Sequence, residues 1–265
     1  MFYNILNTSK QSIHAKLNRL LKEQEEQTYL YDIVLEIRQD HPTLSCRAMY
    51  YKIMPQMLGR DAFEALCKRW GLASEKPVNY CRTTNSYGVT RFDNLLINCT
   101  ITSINQAFVS DITYFEVDRF YYITFILDAH SRYILGYSVS DRLTTEKTTL
   151  PALKMLLKNR QHSMPKGIIF HSDGGGQYYD KEFLKLTSKY EFQNSMCEVA
   201  YENGKAERIN GTIKNNYLKH RCIETYDQLV KELDRSVFLY NNERPHKSLN
   251  YKTPLYVEKE ALILT

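Results

Sequence analysis

Apolar and polar residues follow two different periodicities along this chain. Up to Trp70 the apolar residues recur every three or four positions, which is typical of amphipathic helices. From Phe108 onward, short apolar runs separated by turn residues predict strands over 108–116, 120–128 and 133–140. The hydrophobic pattern therefore predicts an all-α first part followed by a part that contains a sheet.

The first helix is predicted to begin after Ser9, a favourable N-cap, and to carry an apolar stripe over 13–21. We interpret it as the second helix of a helix-turn-helix, in which Lys10, Gln11 and His14 would reach the edges of bases. An ordinary amphipathic helix with a solvated polar face is the alternative, and the pattern alone favours it.

Three further helices are predicted over 29–38, 44–53 and 60–70, with a turn at 40–43 between the first two. Short turns between them indicate a second small bundle of helix-turn-helix type. Arg47 and Lys52 are its candidate phosphate contacts, although a solvated surface charge is the commoner role for such a residue.

The second part opens with three strands joined by short turns, which predicts an antiparallel meander. A crossover helix, a buried strand over 167–172 and further alternation of helix and strand follow. This order is the ribonuclease-H-like pattern. We therefore predict an α/β ribonuclease-H-like (integrase) catalytic core preceded by an all-α helix-turn-helix region.

Three acids stand out within this core. Asp111 lies in the middle of an apolar strand, where a carboxylate is unfavourable unless positive charge compensates it. Asp173 follows the buried strand and precedes three glycines, and Glu207 lies in the first turns of a helix. Such oxygen ligands suit Mg²⁺, so the three form a candidate metal site, with salt-bridged structural acids as the alternative.

The resemblance to a known family rests on five motifs that occur in order. They are 111–114, 127–137, 171–178, 203–214 and 240–249. Together they resemble the bacterial insertion-sequence DDE transposases with a retroviral-integrase-like catalytic core, whose catalytic subunit is encoded by a second reading frame. Two departures are that Phe108 replaces the tryptophan usual before the first aspartate, and that the interval from Asp173 to Glu207 is shorter than usual.

The resemblance implies that Asp111, Asp173 and Glu207 are catalytic and hold two Mg²⁺ ions, with Mn²⁺ as a substitute. It implies cleavage at element ends followed by strand transfer from a 3′-hydroxyl, on double-stranded DNA comprising terminal inverted repeats and a target. A homo-oligomer on DNA and a DNA-binding companion from an upstream frame, or a fusion to it, are implied as well. A nuclease without strand transfer and a non-catalytic DNA-binding regulator are the alternatives.

Polar residues beside these acids are further candidate DNA contacts, because the motifs place them near the scissile strand. They are Gln177, Tyr178, Asn203, Arg208, Asn210 and Lys214. Asp128, in contrast, is predicted to shape a turn and His171 to be a core or site histidine.

The predicted organisation has four parts. Residues 1–75 form the helical DNA-binding region, 76–105 an extended linker, 106–220 the catalytic core, and 221–265 a helix and tail packed on the core.

Composition adds only weak constraints. The 265 residues carry a net charge of +5, which slightly favours a nucleic-acid partner. Six scattered cysteines lack the close spacing of a zinc site and indicate reduced thiols. The absence of a secretory segment and of a membrane-length apolar run predicts a cytoplasmic, nucleoid-associated protein with no membrane partner.

Overall fold

A computed structural model describes residues 9–74, 91–97, 99–160, 164–197 and 203–263. The chain divides into two compact units, one ending at Pro42 and the other beginning at Thr43. The predicted linker at 76–105 falls partly outside the described residues. Its described part, 91–97 and 99–105, contains turns but neither helix nor strand.

The first unit is dominated by one long helix, α1 (Lys10–Asp40), of 31 residues. Ser9 caps it as predicted, accepting a hydrogen bond from the Ser12 backbone N–H at 3.1 Å. The first predicted helix and the one predicted over 29–38 were expected to be separate, but they form this single continuous helix. The intervening segment has no glycine or proline, and the pairs Arg19–Glu23 and Lys22–Glu26 support the helix at i,i+4 spacing.

The second unit begins with two short helices, α2 (Cys46–Ile53) and α3 (Arg60–Arg69). Ser45 caps α2, and Met54 ends it in the left-handed conformation. Both helices lie within the predicted ranges.

A five-stranded sheet forms the centre of this unit. Its strands are β1 (Ala107–Glu116), β2 (Phe120–Asp128), β3 (Ile134–Ser140), β4 (Ile169–Ser172) and β5 (Gln193–Met196). The strand order is β3-β2-β1-β4-β5, with the first three antiparallel and β4 and β5 parallel to β1. The predicted meander and crossover are thus confirmed, and they match the ribonuclease-H-like prediction.

Helices cover both faces of the sheet. On one face α4 (Thr149–Arg160) and α5 (Lys181–Lys189) pack over a core that includes Phe108 and Phe170. On the other face lie α6 (Gly204–Asn216) and α7 (Tyr226–Asn242), over a core that includes Val109 and Phe125. Successive strand residues point to opposite faces, so β1 contributes to both cores.

The last helix, α8 (Pro254–Ile263), is anchored by a buried ion pair. Arg160 at the end of α4 lies 2.6 Å from Glu258, and both side chains are almost fully buried. Ser131 donates a second hydrogen bond to the Glu258 carboxylate. Within the described residues, no helix is both long enough and apolar enough to cross a membrane.

Because a buried charge without its partner is costly, Glu258→Ala is expected to lower the free energy of unfolding by about 3–5 kcal/mol. Glu260→Ala on the same helix is the matched control, since Glu260 pairs with Lys252 in solvent and should cost at most about 1 kcal/mol. Urea denaturation followed by circular dichroism measures both. Equal effects of the two substitutions would contradict the anchoring role of Glu258.

Candidate active site

The parallel pairing of β1 with β4 brings the two aspartates to one edge of the sheet. Val109 pairs with His171, and Asp111 and Asp173 each lie two residues further along their chains. Asp173 directly follows the end of the neighbouring strand β4. Because side chains two residues apart in a strand share a face, Asp111 projects toward the same side of the sheet as Val109. That side is covered by α6, which carries Glu207 in its first turn.

The Asp111 carboxylate is fixed by two hydrogen bonds. One oxygen accepts from its neighbouring backbone N–H, on Ile112, at 2.9 Å, and the other accepts from the Asn210 side-chain amide at 2.8 Å. Burial, followed by repulsion from Asp173 and then from Glu207, raises the pKa of Asp111 to about 7. The charges of Asp173 and Glu207 therefore both act on the Asp111 carboxylate.

Asp173 lies in the glycine-rich turn after β4. Its carboxylate accepts the Gly175 backbone N–H at 3.2 Å, and burial raises the pKa of Asp173. A Cβ on Gly175 would come within 3.0 Å of the same oxygen. Glycine at this position thus lets the backbone approach the carboxylate.

One side of α6 faces the aspartates. Asn210 contacts Asp111, and Lys214 donates to the Thr113 hydroxyl at 3.2 Å while lying 4.6 Å from the centre of the Tyr114 ring. Burial lowers the pKa of Lys214. Glu207 precedes these two residues by three and seven positions, which places it on the same side of the helix.

The donor atoms suit a hard divalent cation, since they are carboxylate oxygens of three side chains. In the described part of the chain, however, no three His, Cys, Asp or Glu side chains stand close enough to form a ready metal-binding group. The acids are thus neighbours whose charges interact, and holding an ion between them requires their side chains to close together.

Two of the predicted DNA contacts are core residues. Tyr178 is 2% exposed, and its hydroxyl lies 2.8 Å from that of Ser110 on β1. Asn203 is 3% exposed and donates to the Ser110 carbonyl oxygen at 2.9 Å. The structure therefore corrects the prediction for both: they join the glycine turn and the start of α6 to β1.

The other candidates divide by exposure. Asn210 is mostly buried against Asp111, and Gln177 is half-buried and donates to the Leu143 carbonyl oxygen. Arg208 is exposed on α6, and Lys10, Gln11 and His14 are exposed on the first turns of α1.

Both basic candidates near α2 hold ion pairs. Arg47 lies 2.8 Å from Glu64, and Lys52 lies 3.0 Å from Glu243. A phosphate at either position would compete with an existing carboxylate.

Asp128 shapes a turn, as predicted. Its buried carboxylate accepts backbone hydrogen bonds from Asn105, His130 and Ser131. His171 is a core residue, fully buried, with its Nδ1 lying 2.9 Å from the Ser195 hydroxyl. Ser110, which links Tyr178 and Asn203, was not singled out, because nothing in its sequence context distinguishes it from any other strand serine.

Comparison with known sequences finds matches over most of this unit. Two sequence profiles, both described as integrase core domain, match residues 102–201 and 189–254. The insertion element IS600 31 kDa protein of Shigella sonnei is 30% identical over 204 residues, which cover 75% of this chain and 74% of that protein. The transposase InsF for insertion sequence IS3A of Escherichia coli is 29% identical over 213 residues, covering 75% and 70%.

Solved structures with similar coordinates include the HTLV-2 integrase catalytic core domain in complex with magnesium. That similarity has a TM-score of 0.46 at 18% identity and covers 58% of this chain and 97% of the core domain.

Removing the Asn210 side-chain amide, which stabilises the ionised Asp111 carboxylate, should shift the titration of Asp111. Asn210→Ala is expected to raise the pKa of Asp111 further above about 7, because the hydrogen bond from Asn210 lowers it. Carboxyl ¹³C NMR during a metal-free pH titration measures this shift. Asn216→Ala, at the end of the same helix, is the control and should leave the titration unchanged; an unshifted Asp111 in Asn210→Ala would refute the role of the amide.

Proposed function

The chain belongs to the insertion-sequence transposases that carry an integrase core domain, and we propose that Asp111, Asp173 and Glu207 carry out its chemistry. Enzymes of this family are polynucleotidyl transferases that act on DNA. The observation that carries the assignment is that three acids 34 or more residues apart in sequence come near one another: Asp111 and Asp173 on neighbouring strands, and Glu207 on the helix that covers them.

Asp111, Asp173 and Glu207 would hold the divalent cations that this reaction requires, which we propose to be two Mg²⁺ ions, with Mn²⁺ as a substitute. When bound, such ions stabilise charge on the attacking and leaving oxygens of a phosphodiester displacement. The repulsion of Asp111 by Asp173 and Glu207 supports this proposal, because a cation bound between the carboxylates would offset it.

The surrounding residues prepare the carboxylates for this task. The Asn210 amide and the Ile112 N–H orient Asp111, the Gly175 N–H orients Asp173, and the rigid helix presents Glu207. Lys214, held against Thr113, places a positive charge on the same side of α6. That charge lies where the DNA backbone must approach the carboxylates.

We propose that the reaction frees a 3′-hydroxyl at each element end and joins it to a target. Since both ends must be joined together, the working form would be an oligomer on DNA. An upstream-frame DNA-binding companion, or a fusion to one, and recognition of inverted repeats through the N-terminal region remain parts of the same proposal.

Replacing Glu207 with Gln should remove an anionic oxygen while keeping the shape of the side chain. Glu207→Gln is expected to reduce strand transfer by on the order of 10³-fold or more while DNA binding stays near normal. The assay uses labelled terminal-repeat DNA with Mg²⁺ and separates joined products, cut-only products and binding alone.

Glu182→Gln, an exposed residue on α5, is the matched control and should retain full activity. Cut-only products from the unaltered chain would favour a nuclease, and binding alone would favour a regulator. Loss of DNA binding together with activity in Glu207→Gln would count against its role at the metal.

Protons and cations should compete for Asp111. Its pKa of about 7 without metal means that the protonated form dominates below that pH, so Mg²⁺ affinity is expected to rise from pH 6 to pH 8. Below pH 7 the affinity should fall by up to about tenfold per pH unit.

Calorimetry in two buffers of different ionisation enthalpy measures the affinity and the proton release together. The number of protons released on Mg²⁺ binding should approach one at pH 6 and be small at pH 8. Asp180→Asn, which alters the N-cap of α5 and none of the three acids, should keep this pattern; affinity independent of pH in the unaltered chain would refute the competition.

A further inference from the structure

A large cavity lies on the side of α6 turned away from the carboxylates. It has a volume of about 810 Å³ and is bounded by the start of α2, by α6 and by the loop that follows α7. Its floor is apolar and includes Leu127, Ile209 and Tyr240. Cavities of this size are typical of ligand sites.

The walls of the cavity are strongly basic. Six positively charged side chains line it: Arg47, Arg132, Lys205, Arg208, Arg244 and Lys247. Among the described residues that line the cavity, none is acidic. Of the six, only Arg47 forms a salt bridge with a described carboxylate, that of Glu64. We call the other five the cationic cluster.

The positive charges of the cluster repel one another, and among described carboxylates Asp128 offsets part of this repulsion at Lys205 and Arg132. Burial lowers the pKa of Lys205, and the nearby Arg132 lowers it further. Burial also lowers the pKa of Arg132, and the charge of Arg208 acts in the same direction. Burial, with help from Arg244 and Arg132, lowers the pKa of His246 to about 3, so this cavity residue is neutral at physiological pH. Concentrated positive charge with so little internal compensation indicates an anionic occupant.

Helix α6 separates this cavity from the acids. Lys205, Arg208 and Thr212 line the cavity and recur at i, i+3 and i+7, so they share one side of the helix. Glu207, Asn210 and Lys214 show the same spacing, displaced by two residues, which rotates them by about 200° at 3.6 residues per turn. The two sites are therefore about one helix diameter apart, roughly 10 Å.

The α2 terminus adds to the positive potential. Thr43, Leu44 and Ser45 line the cavity, so the N-terminal end of α2 faces into it. That end carries the positive pole of the helix dipole and favours phosphate groups.

We propose that the cationic cluster binds the phosphodiester backbone of DNA, forming a second contact on the opposite side of α6 from the catalytic acids. The inference rests on the proposed function in taking DNA as the substrate. Arginine guanidinium groups suit phosphate oxygens, and three of the five residues are arginines. The 240–249 motif, which supplies Arg244 and Lys247, thereby gains a role in holding DNA.

The test removes two charges whose side chains are exposed, so that folding is not at risk. Arg208→Gln combined with Lys247→Gln is compared with Lys154→Gln combined with Lys158→Gln, two exposed lysines on α4 in the opposite layer. Affinity for a short fluorescent DNA duplex is measured without metal over a range of salt concentrations. Thermal unfolding verifies that each variant is folded.

The cavity variant is expected to bind DNA about 10- to 100-fold more weakly, while the α4 variant changes less than about twofold. The slope of log affinity against log salt should fall by about 1.8, since each lost phosphate contact removes roughly 0.9. A variant that combines Arg208→Lys with Lys247→Arg keeps both positive charges and should bind DNA as tightly as the unaltered chain.

Two results would overturn the inference. One is a cavity variant that binds DNA as the α4 variant does. The other is a cavity variant that binds DNA normally but no longer self-associates in sedimentation experiments. That result would indicate that the cavity binds an acidic protein surface. If the cavity variant loses DNA affinity but the unaltered chain yields no joined products with Mg²⁺, the cavity assignment stands and the proposed function fails.

Discussion

Burial of the Asp111 carboxylate, next to two other acids that repel it, is the constraint on which this site depends. The carboxylate is largely buried beside two other acids, while two hydrogen bonds from Ile112 and Asn210 favour its ionised form. Asp111 cannot move away from the other acids, because β1 is paired with β2 along its length and with β4 at its start. DNA phosphates would add negative charge, so the site can meet its substrate only with countercharge in place.

The rest of the second unit keeps β1 in position. Apolar cores on both faces of the sheet hold β1 between them, and Ser110 ties it to the glycine turn through Tyr178 and to the start of α6 through Asn203. At the far end of the unit, Arg160 and Glu258 bind the last helix to α4. The site therefore rests on a scaffold whose links are buried and hydrogen-bonded.

The sequence predicted those features that local patterns determine. The apolar run within 120–128 and the turn chemistry of Asp128 placed the meander correctly, and the run before Asp173 located β4. Side-chain direction within an irregular turn has no such pattern, so Tyr178 was assigned to DNA when it packs in the core. The continuity of α1 was missed because its charged middle resembles a connection as much as a helix.

Because α6 presents Glu207 toward the aspartates and Lys205 and Arg208 toward the cavity, the rotational orientation of the helix is fixed. Inserting or deleting a single residue within the helix would rotate all later residues of the helix by about 100° about its axis. Residues before and after the change would then no longer face the same sites. Differences in chain length are therefore tolerable only outside this helix. The interval from Asp173 to Glu207 is shorter than usual, and Glu207 still lies in the first turn of the helix.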